Sequence, residues 1–470
     1  MQIAGKNIQR VHFTGIKGVG MAGLAIIAKQ MGLDVSGSDV TDEFITDQVL
    51  ATRGIAWQPG FDPHRVETVD LVVATGAHGG KTNPEAQAAQ EQGIPVLMHA
   101  EALSLFAQGK KVIAVAGCHG KTTTSALLSW VLTQAGYEPS FLVGTSEITG
   151  LGFAAAFGKG EYFVIEADEY MTCPQTDRTP RFLYLDPFIS LITNIEHDHP
   201  DRYATLAETK LVFKQFINKT PQDGLIVACT DSEPLRSVLA EQRYDAPVAT
   251  YGSDEEADWQ VLDFKSEHGF VSWRIKQQET VSETFCLQVP GLHNALNATG
   301  VLRVLEEIGL PPAEASGHLC SFKGLKRRFE FIGERNGVKV YDDYAHHPSE
   351  IKATLRAARE WFPGQRIIVV FQAHTYSRTQ VLFSEFSQAF TDADQVIIPK
   401  IFPSAREKDT LGMTAAHLAQ GIQRYHDAVM HIEDVAEIQA WLHENTTAGD
   451  ILITMGAGDI YHLGTAFLNT

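Results

Sequence analysis

The sequence predicts an α/β protein of three domains: a Rossmann-like N-terminal domain, a central P-loop ATPase-type α/β domain and a C-terminal Rossmann-like α/β domain. Three observations carry this expectation. A short apolar run, a glycine turn and a helix-period stretch follow one another over Val11–Met31, and the same succession recurs over Val112–Gly136. Beyond them, apolar runs repeatedly end in acids, histidines and asparagines, and open α/β sheets bind ligands at the carboxyl ends of their strands. A chain of 470 residues is expected to hold about two to four domains, with core burial not limiting.

Composition sets the class. A hydrophobic content of 44% with 20% charged residues describes an ordinary globular protein. The formal net charge of −19 disfavours nonspecific binding to nucleic acid or to an anionic membrane, but leaves room for an anionic substrate on a local basic patch. Five cysteines, Cys118, Cys173, Cys229, Cys286 and Cys320, are scattered without C-x-x-C pairing. That spacing argues against a zinc site or a disulfide framework and for a reducing cytoplasm. No signal-peptide pattern opens the chain and no apolar run is long enough to span a bilayer, so a cytoplasmic protein without membrane insertion is expected.

Residues 1–108 read as the first domain. Val11–Thr14 is a strand, Gly15 to Gly20 a glycine turn with Lys17 inside it, Met21–Met31 a helix and Asp34–Ser38 a second strand ending at Asp39. This is the outline of a nucleotide-binding βαβ unit, although the glycine spacing is not G-x-G-x-x-G. A nicotinamide site, another nucleotide or diphosphate site, and a purely structural turn all remain open. Leu71–Thr75 and Pro95–Met98 are further strands, Asn83-Pro84-Glu85 starts a helix, and another runs around Glu101–Phe106. Gln108-Gly109-Lys110 is a candidate linker.

Residues 109–322 form the expected central domain. Val112–Val115 is short enough for a buried parallel strand. Gly117-Cys118-His119-Gly120-Lys121-Thr122-Thr123 is the turn into a helix that Gly136 stops. Unpaired N–H groups at the helix start suit a phosphate, Lys121 can reach β- and γ-phosphates, and the Thr122 hydroxyl can ligate Mg²⁺. The full pattern wants Gly where this chain has Val115. Cys118, before a helix N-terminus and near Lys121, is expected to favour the thiolate. Tyr162–Ile165 runs into Glu166-Ala167-Asp168-Glu169, and Ile189–Thr193 into Asn194 through His199. Two such clusters beside a phosphate loop point to metal and nucleotide chemistry. Glu166 is the foremost carboxylate candidate, whereas His199 is an unusual Mg²⁺ ligand by softness. Leu225–Ala228 is a strand and Glu233–Ala240 a helix; Trp259–Phe264, Gly269–Ile275 and Thr284–Val289 read as antiparallel strands. His293, Asn294 and Asn297 then open a helix, where they could read a base or simply cap it.

Residues 323–470 form the last domain. Lys323 to Glu330 contains a short basic run with Arg327 and Arg328. Lys339–Tyr341 ends in Asp342 to Pro348, Ile367–Phe371 in Gln372 to Arg378, and Ile451–Met455 in Gly456 to Asp459; Gln395–Ile398 is another strand.

Taken in order, Gly18-Val19-Gly20-Met21, Ser36 to Asp39, Gly117–Thr124, Glu166 to Glu169, Thr193–His199, His293–Asn297, Arg327-Arg328-Phe329, Asp342–Pro348 and Gly456-Ala457-Gly458 resemble the motifs of the Mur ligase family, over nearly the whole chain. The resemblance implies an ATP- and Mg²⁺-dependent ligase of peptidoglycan precursor synthesis. It would join L-alanine to UDP-N-acetylmuramate through an acyl phosphate and work as a monomer or homodimer. By the same resemblance, Gly15, Gly18, Val19, Gly20, Met21, Ser38 and Asp39 would hold the UDP part. Gly117 through Thr123 with His293, Asn294, Asn297, Arg328 and Asp343 would hold ATP. Thr122, Glu166 and His199 would hold metal, and His347, His374 and Arg378 would face the amino acid. Lys121, Glu166, His199, Arg328 and His347 would carry the chemistry.

Departures bear on the amino acid more than on the reaction. Lys17 replaces a glycine usual in the first turn and is expected to alter a UDP contact. Cys118 stands where threonine is common, and Thr375 where arginine is. The segment Tyr170 to Asp177 is longer than expected and resembles the tripeptide-recycling branch, which is the second reading. Lys210 is the position nearest to a family lysine that is carbamylated in some members, and is left outside the site. A nicotinamide oxidoreductase, the rival of another class, leaves Lys121, Glu166 and His199 without a role.

Overall fold

The computed structural model describes every residue except 1, 4, 5, 201, 268, 404–406, 408 and 470. Three α/β sheets succeed one another along the chain. The first is a five-stranded parallel sheet in the order Ala56–Pro59, Asp34–Asp39, Arg10–Thr14, Leu71–Ala74, Val96–Met98. Its first helix, Val19–Gln30, begins two residues earlier than the apolar period suggests, with Gly18 at its N-cap. Residues Met21 to Ala28 of that helix are all buried, because it is packed on both sides. One side lies on its own sheet; the other meets the central domain so closely that a Cβ on Gly23 would collide with Leu142. One apolar cluster accordingly runs from Val11, Phe13 and Leu24 into Leu142, Phe163, Ile165 and Phe182. Burial of this shared surface fixes the first domain against the second.

The central sheet has eleven strands among the described residues. Lys111–Ala116 lies between Tyr162–Glu166 and Pro187–Ile192, all parallel, with Val115 opposite Glu166 and Ala116 opposite Ile192. The phosphate turn, the Glu166 cluster and the Thr193–His199 run therefore leave the sheet at one edge, side by side. Helix Lys121–Gln134 packs its apolar residues over this edge, and Gly136 at φ +79° ends it. The far side of the sheet is antiparallel, as its alternating sequences indicate: Trp259–Glu267 pairs with Phe270–Gln277, which pairs with Phe285–Leu287.

Two local features were not readable from spacing. Residues after Glu169 form an antiparallel ribbon, Met171–Cys173 with Asp177–Pro180, followed by a 3₁₀ turn at Arg181–Tyr184. It docks on the first domain, where a Cβ on Gly76 would strike the Thr172 carbonyl. Cys286 and Cys320 form a disulfide. The expectation of unpaired, reduced cysteines is thereby corrected: helix Pro312–Cys320 lies against strand Phe285–Leu287, so residues 34 apart in sequence come to a Cα separation of 4.9 Å.

The last sheet has the order Glu330–Arg335, Val338–Asp343, Ile451–Met455, Ile367–Phe371, Gln395–Ile398, Val429–His431, parallel apart from its first strand. Its inner strands Ile451–Met455, Ile367–Phe371 and Gln395–Ile398 are buried throughout, with an apolar cluster on each face, the pattern of a parallel sheet flanked by helices. No helix among the described residues is long and apolar enough to cross a membrane.

Candidate active site

The phosphate turn is held by its neighbours rather than by itself. Gly117 sits at φ +137°, and a Cβ there would collide with Thr193 Oγ1. The His119 N–H donates to Asn194 Oδ1 at 2.9 Å, and the His119 carbonyl accepts from Thr193 Oγ1 at 2.5 Å and Asn194 Nδ2 at 2.9 Å. Lys121 Nζ donates to the Gly117 carbonyl at 2.5 Å and to Glu169 Oε2 at 2.8 Å. Burial works against its charge, but Glu169 and Asp168 outweigh it and raise the pKa above the ordinary lysine value. Cys118 corrects the thiolate expectation. It is 7% exposed, its Sγ is bonded to the Glu196 backbone, and burial followed by the Glu169 charge pushes the thiol pKa well up.

Two groups of metal-type donors flank the turn. Thr122 Oγ1 donates to Glu166 Oε1 at 3.0 Å, and Glu166 Oε2 accepts from the Gly144 N–H at 2.7 Å. Beside Lys121, ligand atoms of Glu169, Asp198 and His199 lie within 4.8 Å of one another. His199 is turned in by a left-handed backbone, φ +56°, with its N–H on Asp198 Oδ1 at 2.6 Å. Burial opposes the Asp198 charge, yet His199 and Arg378 hold its pKa well below the ordinary carboxylate range. Glu166 thus goes with Thr122, whereas Glu169 and Asp198, which nothing in their spacing singles out, accompany His199. Lys210 is elsewhere, bonded to Ser237 Oγ at 2.5 Å.

A pocket of about 220 Å³ adjoins the turn, lined by His293, Asn294 and Asn297, by Gly120 and Thr123, and by Arg328 and Asp343. Burial keeps His293 neutral, lowering its pKa to about 4. Asn294 donates to the Pro290 carbonyl at 2.7 Å, so it also ties the helix start. Asp343 accepts from the N–H groups of Phe329 and Ala345, both at 2.7 Å, and so braces the Arg327–Phe329 turn; burial raises its pKa to about 6. From that turn Arg328 Nη2 reaches Thr122 Oγ1 at 3.4 Å.

The last domain closes on the first two sites. His119 bridges Glu196 Oε2 at 3.4 Å and Glu350 Oε1 at 3.3 Å, while Ser349 Oγ donates to Glu196 Oε2 at 2.7 Å. Burial would push His119 down, but Glu350 and Glu196 outweigh it and hold its pKa up at about 10. The His347 ring packs against that of His119, tilted by 37° with centroids 4.6 Å apart. Arg378 pairs with Asp198. Among the amino-acid candidates, Arg378 therefore reaches the metal-type cluster and His374 lies near it, feeling the charges of Arg378 and His199, while His347 lies against the phosphate turn. Burial keeps His346, His347 and His374 neutral, with pKa values of about 3, 4 and 4. His346 and Glu350 were missed by sequence reasoning; both lie in or just after the Asp342–Pro348 run, where only His347 was singled out.

A cleft of about 710 Å³ extends from Lys121, Thr122 and Glu166 past Asp168 and Arg181 to Val19, Gly20 and His99. Of the first-turn candidates, Val19 and Gly20 line it. Gly15 and Gly18 shape the turn, the Gly15 N–H donating to the Ser38 carbonyl at 2.8 Å. Met21 is buried; Asp39 accepts from the Lys17 N–H at 2.7 Å, and Ser38 bonds to Glu85. Arg181 and His99 had no signal in the sequence, because only the docked ribbon and the helix start bring them here.

Fold and site together define a three-domain ligase built around a phosphate loop. Three family models cover it in succession: Mur ligase family, catalytic domain, at residues 10–111; Mur ligase middle domain at 115–305; and Mur ligase, glutamate ligase domain, at 327–458. The chain belongs to the Mur ligase family, whose members are ATP-dependent carbon–nitrogen ligases. It is 41% identical to a UDP-N-acetylmuramate–L-alanine ligase of Caldanaerobacter subterraneus subsp. tengcongensis, covering 100% of this chain and 99% of the relative. It is 39% identical to the enzyme of the same name from Desulfitobacterium hafniense, covering 97% and 99%. The crystal structure of UDP-N-acetylmuramate-alanine ligase from Thermotoga maritima shares the fold, with a TM-score of 0.80 at 24% identity over 98% of this chain and 99% of that one.

Proposed function

We propose that this chain joins L-alanine to UDP-N-acetylmuramate, cleaving ATP to ADP and phosphate. The observation that carries the reading is the alignment of three parallel strand ends, which sets Lys121, Glu166 and the Glu169–Asp198–His199 cluster around one point. The full-length similarity to alanine-adding relatives supports the choice of substrates.

Domain roles follow from the lining residues. Residues 1–108 hold the UDP-substrate, 109–322 hold ATP, and 323–470 close over both and present the amino acid. The adenine lies in the pocket of His293, Asn294 and Asn297, and the phosphates lie on the turn. Oxygen donors fit a hard divalent ion, so Thr122 and Glu166, with Glu169, Asp198 and His199, would hold Mg²⁺, which neutralises phosphate charge when bound.

The chain's own residues then account for the rest. A carboxylate is repelled by ATP, and Lys121 and Arg328 offset that repulsion. The substrate carboxylate attacks the γ-phosphorus and ADP leaves, giving an acyl phosphate. The alanine amine attacks the acyl carbon, loses a proton, and phosphate leaves. The neutral histidines 346, 347 and 374 do not repel an amine as imidazolium groups would. The closed contacts at His119 and Arg378 exclude the water that would hydrolyse the acyl phosphate. A reaction that consumes ATP fits a cytoplasmic enzyme.

The test is ADP release with UDP-N-acetylmuramate against L-alanine, glycine, L-serine and the tripeptide of the recycling reaction. L-alanine is expected to give the highest kcat/KM. Preference for the tripeptide would replace this reading with the recycling one.

A further inference from the structure

A second group of metal-type donors lies where the last domain meets the phosphate turn, made of different residues from the cluster beside Lys121. Ligand atoms of His119, Glu196 and His347 lie within 4.8 Å of one another. His119 Nε2 stands 3.4 Å from Glu196 Oε2, and His347 Nδ1 stands 3.8 Å from the same oxygen. Neither approach is a hydrogen bond: His119 Nε2 is buried with no hydrogen-bond partner among the described residues. A four-coordinate ion with bonds of about 2.0–2.2 Å sets its ligand atoms roughly 3.3–3.6 Å apart. The observed spacings are those of a slightly opened coordination tetrahedron.

The contacts behind these donors are those a metal site needs. His119 Nδ1 lies 3.3 Å from Glu350 Oε1, the carboxylate–histidine arrangement that leaves the other ring nitrogen facing an ion. Ser349 Oγ donates to Glu196 Oε2 at 2.7 Å and steadies that carboxylate. At His347, Nδ1 accepts only a long bond, 3.3 Å from the Ser349 N–H, which an ion can displace. Two imidazoles and one carboxylate suit a borderline divalent ion such as Zn²⁺. Mg²⁺ prefers six oxygen ligands and is served by the other donors. His119 and Glu196 also line the pocket of about 220 Å³, which leaves room for a water as fourth ligand.

We propose that His119, Glu196 and His347 form a site for a divalent cation of the Zn²⁺ class, and that the bound ion clasps the last domain to the central one. His119 and Glu196 belong to the middle domain and His347 to the last, so the three donors meet only while these domains are in contact. On binding, the ion takes the place of the Nε2 proton of His119. That proton passes to solvent, and the Nδ1 proton stays on Glu350. Reopening the domains then means breaking a bond from the ion to nitrogen. A cycle that must open to exchange substrates and products is slowed. Ion binding is independent of which substrates the enzyme takes; only its effect on turnover depends on the proposed reaction.

The test titrates the full chain with Zn²⁺ by calorimetry in excess Mg²⁺, without nucleotide, and repeats the titration with Co²⁺ to read coordination from the visible spectrum. The parent is expected to bind a Zn²⁺ that excess Mg²⁺ does not displace, and Co²⁺ to give the intense bands of four-coordination. His347→Gln removes a ligand; Glu350→Gln removes only the carboxylate behind His119. Circular dichroism checks that each is folded. Glu350→Gln is expected to weaken Zn²⁺ about 10- to 100-fold, and His347→Gln at least as much. His199→Gln, in the other cluster, should leave Zn²⁺ affinity unchanged. In turnover at saturating Mg²⁺ and ATP, Zn²⁺ should lower kcat of the parent at concentrations where Glu350→Gln keeps its own rate. No Zn²⁺ bound by the parent in excess Mg²⁺, or parent-like affinity in both variants, would overturn the site. A loss confined to His199→Gln would overturn it equally, by placing the ion in the other cluster. Tight Zn²⁺ binding with kcat unchanged would overturn the clasp.

Discussion

Arg378 Nη2 donates to Asp198 Oδ1 at 3.0 Å, with the two side chains 8% and 5% exposed, so a buried ion pair spans the last domain and the central one. Arg378 Nε is also buried and has no partner among the described residues. One face of the guanidinium is thus committed to Asp198 while a second donor is free for a carboxylate. Truncating one member of a buried pair costs about 3–5 kcal/mol, since the other charge stays buried. Arg378→Ala is therefore expected to lower Tm and to raise KM for ATP and L-alanine together. Arg378→Lys separates the roles: it keeps a cation for Asp198 but loses the fork. A hydrogen bond to a charged group contributes roughly 1.5–3 kcal/mol, so this variant should raise the L-alanine KM about 10- to 150-fold, and the ATP KM far less. Equal rises in both would remove Arg378 from the amino-acid site.

Glu166 accepts from Thr122 and from the Gly144 N–H, so one oxygen meets the phosphate turn and the other is held by the backbone after Leu142. Glu166→Gln preserves the shape and one acceptor but removes the charge. Turnover measured as ADP release is expected to vanish, while the circular dichroism spectrum and UDP-N-acetylmuramate affinity persist. Near-normal ADP release would mean that metal binding rests on Glu169, Asp198 and His199 alone.

What could be read from the sequence was local. The run before Gly117 could only be a buried strand, and Gly120 and Lys121 marked the turn whatever the rest of the chain did. What could not be read was contact between distant segments. Asp198 and Arg378 are 180 residues apart, and nothing in either neighbourhood names the other. Glu166 and Glu169 stand in one acidic run; which of them meets His199 depends on how the chain bends after strand Tyr162–Glu166. Lys17 was visible as an odd residue in a glycine turn. Its side chain is buried over the rings of Phe44 and Trp57, which belong to a loop and an edge strand with no pattern linking them to it. The cysteines failed for the same reason, since spacing along the chain is blind to a helix lying across a strand.

Among the described residues Cys118, Cys173 and Cys229 are free and buried, and Cys286 and Cys320 are bonded. A buried thiol whose pKa is raised is a poor nucleophile. The native protein is expected to show no fast reaction with an aromatic disulfide reagent. Three thiols should react after unfolding in guanidinium, and five after prior reduction. A rapidly reacting Cys118 that ATP protects would restore the reactive-thiol expectation.

The last prediction concerns pH and His119. Its imidazole lies between Glu196, on the central domain, and Glu350, on helix Pro348–Trp361 of the last domain, and its pKa is held up at about 10 from an ordinary 6.5. Between those values the folded protein keeps a proton that the unfolded chain has released. Stability from this group is therefore complete below about pH 6.5 and is lost as pH rises toward 10. The buried neutral histidines 99, 293, 346, 347 and 374 act in the opposite direction, but only at acid pH, since their folded values of about 3 to 4 lie below 6.5. A Tm series from pH 7 to pH 9.5 isolates His119 from them. The parent is expected to lose Tm steadily across that series. His119→Gln, which cannot take the proton, should start lower and fall less steeply, so that the two curves converge at the alkaline end. Parallel curves would show that His119 carries no extra proton in the folded protein and that Glu196 and Glu350 do not clamp the domains through it.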